Sequence, residues 1–137
     1  MEINLQNNLY KKYPQLFVQK DWDKTKTRMC WGISCDDGWY DLINKTCQDL
    51  NQYIKLNKNN SIQLPQFYQI KQKFGRLRIY IDNANNEIRS MMRNIENFSS
   101  IVCEKCGSTK SVEQHGSIWI KSLCKKCINK IEKNRKK

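Results

Sequence analysis

The sequence predicts an α+β fold in which two amphipathic helices and a small β-hairpin are followed by a cysteine finger packed on them. Apolar residues repeat at helical spacing in two segments and alternate in a third, and two Cys-x-x-Cys pairs lie near the end of the chain. With 137 residues, 39% of them hydrophobic, the chain is long enough for about one domain with a modest core. We expect the helices and hairpin in residues 1–101 and the finger in residues 102–137, together forming one compact unit.

The first twenty residues contain a short helical pattern. Apolar residues recur there at three- and four-residue steps, at Leu5, Leu9, Tyr13 and Leu16. Pro14 is expected to end or kink this helix, because proline lacks the backbone N–H that a helix interior requires. Residues 21–30 show no clear period, which predicts a loop or a short strand.

The segment from Gly38 to Leu56 is predicted to be an amphipathic helix. Its apolar residues follow the i, i+3, i+4, i+7 pattern, at Trp39, Leu42, Ile43, Cys47 or Thr46, Leu50 and Ile54. Asp36 or Asp37 is expected to cap its start, because a side-chain oxygen there can accept a hydrogen bond from a free backbone N–H. The residues 57–61, NKNNS, are typical of a loop.

A second helix is predicted within residues 82–100. Its apolar face consists of Ile88, Met91, Met92, Ile95 and either Phe98 or Ser99. Asp82 or Asn83 is the expected cap at its start. Arg89 and Arg93 lie four residues apart and therefore share an exposed face of this helix.

The segment before this helix has the alternation of a β-strand. Apolar residues alternate there with basic or aromatic ones, in the order Arg76, Leu77, Arg78, Ile79, Tyr80 and Ile81. Residues 67–70 are the expected partner strand, and Gly75 permits a tight bend at the connection. One face of this hairpin should therefore be apolar and the other basic and aromatic.

Two Cys-x-x-Cys pairs separated by seventeen residues have the spacing of a zinc site. The expected ligands are Cys103, Cys106, Cys124 and Cys127. Four thiolates suit the tetrahedral preference of Zn²⁺, and Gly107 permits the sharp turn that follows the first pair. A closed shell of four thiolates leaves no open position on the metal, so one structural zinc ion is expected rather than a catalytic one.

The residues between and after these pairs predict how the finger is built. The stretch between the pairs has the pattern of a hairpin, and the residues after Cys124 can be helical. A zinc-binding turn, a hairpin and a helix carrying the second ligand pair form the treble-clef arrangement, which resembles a zinc ribbon in its ligand spacing. His115, the single histidine, could be a ligand or a residue of a treble-clef nuclease, but a solvent-exposed position at the hairpin tip is the simpler interpretation.

The three remaining cysteines, Cys30, Cys35 and Cys47, are expected to have ordinary structural roles. Disulfides are not expected, because the chain has seven cysteines and begins without the features of a signal peptide. No stretch approaches the roughly 20 apolar residues that a membrane helix needs. We therefore expect a cytoplasmic protein.

The formal net charge of +12 predicts an anionic partner, and nucleic acid is the commonest one. Two basic segments are candidates for binding it. The first lies on the predicted hairpin and consists of Lys71, Lys73, Arg76, Arg78 and Tyr80. The second is the C-terminal segment and consists of Lys125, Lys126, Lys130, Lys133, Arg135, Lys136 and Lys137. The alternative interpretations are a solvated outer sheet face for the first and a solubilising tail for the second.

Four motifs in fixed order resemble a family of small phage and bacterial proteins that end in a zinc finger. The motifs are CDDGWYDLI (35–43), QIKQKFGRLRIYI (69–81), CEKCG (103–107) and GSIWIKSLCKKC (116–127). The resemblance covers roughly residues 14–128. It implies the same four zinc ligands, the same architecture and a mobile-element origin, and it implies no catalytic residues.

Together these features predict a non-catalytic zinc-binding protein that binds nucleic acid, with RNA favoured, or a host nucleoprotein. Small phage proteins without catalytic sites often bind host machinery, so an inhibitor of host defence, such as an anti-CRISPR protein acting on an RNA-guided nuclease in the bacterial cytoplasm, is one expectation. The alternatives are a metal-dependent nuclease using His115 and a protein–protein adaptor.

Overall fold

The computed structural model describes residues 1–58 and 63–135, which form a mixed α+β fold as predicted. The helices and strands, in chain order, are α1 (Ile3–Lys12), α2 (Tyr40–Leu56), β1 (Gln66–Lys73), β2 (Arg76–Asp82), α3 (Asn86–Ser99), β3 (Val112–His115), β4 (Lys121–Cys124) and α4 (Lys125–Arg135). Short 3₁₀ helices lie at Val18–Asp21, Met29–Trp31 and Asp37–Trp39. Most of the loop predicted at residues 57–61 lies outside the described residues.

The N-terminal segment folds as its pattern predicts. Helix α1 ends at Lys12, two residues before Pro14, and the backbone N–H of Tyr13 closes its last turn on the Leu9 carbonyl. Residues 21–30 contain turns and parts of two 3₁₀ helices. The backbone N–H of Arg28 bonds to the Tyr68 carbonyl, which ties this irregular segment to strand β1.

Helix α2 begins later than predicted and lacks the predicted cap. A 3₁₀ turn precedes it, and no side chain in the described part of the protein caps the helix start at Tyr40. The two candidate caps are engaged elsewhere: Asp36 Oδ2 accepts from Lys121 Nζ at 2.6 Å, and Asp37 Oδ1 accepts from the Glu2 backbone N–H at 2.8 Å. The capping prediction is wrong because residues distant in sequence occupy both carboxylates.

The cap predicted for helix α3, Asp82 or Asn83, is wrong. Strand β2 continues through Asp82, so the helix begins at Asn86, and Asn85 caps it by accepting from the Ile88 N–H at 2.9 Å.

At the far end of the apolar face of α3, Ser99 is fully buried and Phe98 is 46% exposed. Ser99 takes the buried position because its hydroxyl accepts a hydrogen bond from the Leu77 N–H.

Strands β1 and β2 form an antiparallel hairpin whose apolar face lies in the main core. Its two-residue turn consists of Phe74 and Gly75, both with positive φ, and strand β1 is longer than the four residues predicted. Helix α3 covers the open edge of β2, where Glu96 Oε2 accepts from the Ile79 N–H at 2.7 Å. The buried residues of the hairpin are Phe67, Ile70, Leu77 and Ile79.

The finger contacts the 3₁₀ helix Asp37–Trp39 that precedes α2. The Gly38 N–H bonds to the Glu104 carbonyl at 2.7 Å, and a Cβ at Gly38 would overlap the carbonyl oxygens of Cys103 and Glu104. Glycine is therefore required there to let the two backbones approach. The indole Nε1 of the fully buried Trp39 also donates to the Val102 carbonyl at 2.9 Å.

A second contact joins strand β4 of the finger to the turn of the first hairpin. Ser122 Oγ donates to the Gly75 carbonyl at 2.5 Å and accepts from Gln114 Nε2 at 2.7 Å. Ser122 is fully buried. Contacts of this kind connect the two segments on either side of residue 101, while the division into two domains there stays a prediction.

Candidate metal centre

The four predicted cysteine ligands converge on one point in the finger. Cys103 and Cys106 lie in the turn after α3, Cys124 ends β4, and Cys127 lies in the first turn of α4. Their Sγ atoms lie within 4.8 Å of one another, and the Cys106 and Cys124 sulfurs are 3.6 Å apart. Thiolates placed about 2.3 Å from a tetrahedral zinc ion would be roughly 3.8 Å apart. The cluster therefore forms a single structural metal site that fits one Zn²⁺.

Backbone hydrogen bonds shape the turn that carries the first two sulfurs. The Gly107 N–H bonds to the Cys103 carbonyl, and the Cys103 N–H bonds to the Ser108 carbonyl, both at 2.8 Å. Gly107 has φ +82°, in the left-handed region that favours glycine. The predicted role of this glycine is therefore confirmed.

The local environment favours the thiolate of Cys103. Burial raises the pKa of Cys103, but hydrogen bonds from the backbone N–H groups of Cys124, Cys106 and Lys105 outweigh burial and lower it to about 7. Thiolate is the form that binds metal. Burial and hydrogen bonds with the other three cysteine side chains raise the pKa of Cys127 to about 12, so metal binding at this thiol must release a proton.

The finger has only a small apolar core of its own. It consists of the buried residues Cys103, Leu123, Cys124, Cys127 and Ile128, with Val112 and Ile131 partly buried beside them. Three of the five buried members are metal-ligand cysteines. So small a core contributes little burial energy, and metal ligation is the natural source of the remaining stability.

Glu104, between the first two ligands, joins the finger to the rest of the protein. It is 1% exposed, its Oε2 accepts from the Asp36 N–H at 2.9 Å, and its Oε1 has no hydrogen-bond partner among the described residues. Burial raises the pKa of Glu104 above its ordinary value, and the hydrogen bond from Asp36 opposes this shift. The Lys121–Asp36 ion pair at 2.6 Å lies beside it. The role of Glu104 could not be predicted from the sequence, because a single glutamate carries no spacing signal.

The three other cysteines lie outside this cluster. Cys47 and Cys35 are buried in the main core, and Cys30 is half-buried. Burial raises the pKa of both Cys35, to about 12, and Cys47. Two buried, protonated thiols in a packed core agree with the predicted structural role.

His115 ends strand β3 and is not a member of the cysteine cluster. Its Nε2 lies 4.0 Å from Glu132 Oε1 of α4, and its side chain is 23% exposed, so it is less exposed than the predicted position at the hairpin tip. In residues 1–58 and 63–135, the four cysteines form the only group of three or more His, Cys, Asp or Glu side chains arranged to hold a metal.

The predicted basic residues of the hairpin share one face. Lys71 pairs with Arg78, Lys73 with Arg76, and Tyr80 with Gln69 across the two strands. We call the five predicted residues Lys71, Lys73, Arg76, Arg78 and Tyr80 the basic hairpin face. The Arg76 guanidinium bonds to Asn97 Oδ1, and the buried Nε atoms of both arginines have no partner in the described part of the chain.

The predicted basic residues of the C-terminal segment lie on helix α4 as far as the structure describes them. Lys125, Lys126, Lys130, Lys133 and Arg135 are all exposed, and Lys136 and Lys137 lie outside the described residues. We call the five described residues the α4 basic surface. Among the described residues, none of the five makes an ion pair.

Comparisons with family profiles, curated proteins and solved structures find no match to this chain. The resemblance to phage and bacterial zinc-finger proteins therefore stays a prediction. No helix in the described ranges is both long enough and apolar enough to cross a lipid bilayer.

Proposed function

We propose that this protein is a zinc-stabilised, non-catalytic binding protein whose finger is a treble clef. The order of elements supports this assignment: a tight turn with two cysteines, a hairpin, and a helix whose start carries the second pair. Four thiolate ligands complete the coordination of a zinc ion. The proposed role of the metal is to hold β3, β4 and α4 together so that their outer surface can be used for binding.

The proposed ligand is nucleic acid, with RNA favoured, bound through the basic hairpin face and the α4 basic surface. The observation that carries the proposal is the placement of Lys71, Lys73, Arg76 and Arg78 on one face, where no described acidic side chain neutralises them by an ion pair. Arginine and lysine groups without an ion-pair partner can bind phosphates. Tyr80, 45% exposed, adds a ring on which a base can stack.

A host nucleoprotein is the second form of the same proposal. The resemblance to mobile-element proteins adds this partner class, and inhibition of an RNA-guided defence nuclease would be its biological use. A chain with net charge +12 cannot imitate acidic DNA, so such an inhibitor would contact the RNA or an acidic protein surface.

Salt-dependent RNA binding tests the proposal. We expect a labelled RNA of about 20 nucleotides to bind with an affinity that falls steeply between about 50 and 200 mM salt. Arg76→Gln with Arg78→Gln should weaken binding and reduce the slope against salt by about 1.4, because each lost phosphate contact on a single strand contributes about 0.7. Glutamine retains part of each aliphatic stem, which limits the effect on folding.

Lys24→Gln with Lys26→Gln is the matched control, because it removes the same charge at two exposed positions outside both basic surfaces. If both double variants lose the same affinity, the hairpin face has no special role. If neither wild-type protein nor variants bind nucleic acid at low salt, the proposal fails.

Affinity purification from a bacterial lysate, with and without nuclease treatment, separates the remaining alternatives. Partners lost after nuclease treatment indicate nucleic acid, and a protein partner retained after treatment indicates an adaptor.

The nuclease alternative predicts RNA or DNA cleavage in magnesium or manganese that is lost in His115→Ala. Intact substrate after prolonged incubation would remove that alternative.

A further inference from the structure

Exposed apolar side chains gather where the turn of the first hairpin faces the loop of the finger. Phe74 lies in the β1–β2 turn and is 60% exposed, and Ile118 and Trp119 lie in the β3–β4 loop and are 81% and 82% exposed. All three line one cavity of about 270 Å³, together with Lys71, Gln72, Lys73 and Ile120. Scattered exposed apolar residues need no explanation, but a cluster at one cavity marks a binding surface. We call Phe74, Ile118, Trp119, Lys71 and Lys73 the aromatic–basic cleft.

The backbone at this cleft is arranged at a conformational cost. Phe74 has φ +53°, a left-handed conformation that is an outlier for a bulky residue, whereas asparagine or glycine is preferred at this turn position. Across the cleft, Gly116 has φ +114°, and a Cβ there would overlap the Trp119 carbonyl oxygen. The β1–β2 turn therefore holds the Phe74 side chain in solvent where a small polar residue would suit the turn better, and glycine at position 116 lets the other loop bend close to Trp119.

The charge of the cleft fits an anion. Two of its lining residues are lysines, and none of the described residues that line it is acidic. Lys71 and Lys73 pair across the strands with Arg78 and Arg76, so the cleft is continuous with the basic hairpin face. The ammonium group of Lys73 lies 5.6 Å from the centre of the Phe74 ring, which leaves both a cation and an aromatic face at the same point of the surface.

We propose that the aromatic–basic cleft binds unpaired nucleotides, with bases stacked on Trp119 and Phe74 and phosphates held by Lys71 and Lys73. Aromatic side chains stack on the exposed faces of unpaired bases, which a base-paired duplex keeps inside its own stack. The proposal rests on the proposed nucleic-acid-binding function and makes it more specific, because it assigns single strands rather than duplexes as the ligand.

Binding of fluorescently labelled single strands of about 15 nucleotides tests this assignment. The arms are oligo(U) RNA, oligo(dT) DNA and a duplex of the same length, and the two single-stranded arms decide between RNA and DNA. We expect single strands to bind more tightly than the duplex. Trp119→Ala should weaken single-strand binding about 5- to 150-fold, the range expected for one lost stacking contact, while Trp119→Phe retains most of the affinity.

Trp31→Ala is the matched control, because Trp31 is also largely exposed, at 65%, and does not line the cleft. Lys71→Gln with Lys73→Gln should lower the slope of affinity against salt by about 1.4, whereas Trp119→Ala should leave the slope unchanged.

Phe74→Asn provides a test that separates function from folding. It should raise the thermal midpoint, because asparagine suits the turn, and it should weaken single-strand binding.

The possible failures are distinguishable. Nucleic-acid binding that is retained in Trp119→Ala and Phe74→Asn, or that favours the duplex, overturns the cleft assignment and leaves the proposed function standing. Absence of binding to all three oligonucleotides overturns both.

Discussion

Residues 1–102 and residues 103–135 are held together by different means. The first region buries a continuous apolar cluster drawn from three helices and a hairpin, with Trp39, Phe17 and Phe67 fully inside it. The second has an apolar cluster of only five buried residues, three of which are candidate metal ligands. Burial can stabilise the first region without a cofactor, whereas the second is too small for that and depends on ligation. One short chain can therefore combine stabilisation by apolar burial with stabilisation by metal ligation when the two regions pack against each other.

Removal of the metal should affect the two regions most differently. A chelator, or Cys103→Ser, should unfold residues 103–135 while residues 1–102 keep much of their structure, because structural zinc contributes roughly 10–16 kcal/mol to small zinc modules. Amide signals in NMR spectra would report each region separately, and metal analysis should give one zinc per untreated chain. Cys30→Ser, at a half-buried thiol outside the cluster, is the control and should change neither result. An unaltered finger spectrum without metal would contradict the structural role of zinc.

A core substitution in the first region should show the converse. Phe67→Ala should cost about 3–5 kcal/mol in the free energy of unfolding, because it leaves a cavity at a fully buried aromatic position. Denaturant unfolding measures the cost, and zinc content of the folded protein should stay at one per chain. Tyr80→Ala, on the exposed face of the partner strand, should have a much smaller effect. Loss of zinc in folded Phe67→Ala would show that the regions are less separable than their cores indicate.

Gly38→Ala should test the packing between the two regions. The added methyl would overlap the carbonyl oxygens of Cys103 and Glu104, so the finger must shift away from α2. We expect a loss of about 1–3 kcal/mol in stability together with faster zinc release to a chelator. Asp41→Ala, at an exposed position in the first turn of α2, is the control. Wild-type zinc release in Gly38→Ala would mean that docking does not support the metal site.

Alkaline pH should weaken the first region by a smaller amount. Burial raises the pKa of Cys47 well above the ordinary thiol value of 9.0, so folding favours its protonated form. The stabilisation is complete below pH 9 and is lost as pH rises, by about 0.8 kcal/mol per such thiol near pH 9.5. Denaturant unfolding at several pH values measures this slope. Cys47→Ala, although less stable throughout, should show a shallower decline between about pH 8 and 10, and an unchanged slope would contradict the assignment.

Local patterns of residues were sufficient to predict several parts of this protein. Periodicity located the helical segments, alternation located strand β2, and cysteine spacing identified the four sulfurs that the structure brings together. Each of these patterns arises from the geometry of one element or from one metal's ligand requirement, so neighbouring residues contain the information. Alternation likewise predicted that Arg76 and Arg78 share one face, and Lys71 joins that face because strand β1 continues beyond the predicted residue 70.

The features that join residues distant in sequence depend on the tertiary structure. Asp36 and Asp37 satisfy every local rule for a helix cap, yet Lys121 and the Glu2 backbone occupy their carboxylates. Three other features have no signal in the sequence: Gly38 closely approaches the finger, Glu104 is buried, and Phe74 and Trp119 line one cavity. Packing sets these contacts, because the free energy of a side chain's hydrogen bond or buried surface depends on whichever partner the whole fold brings to it.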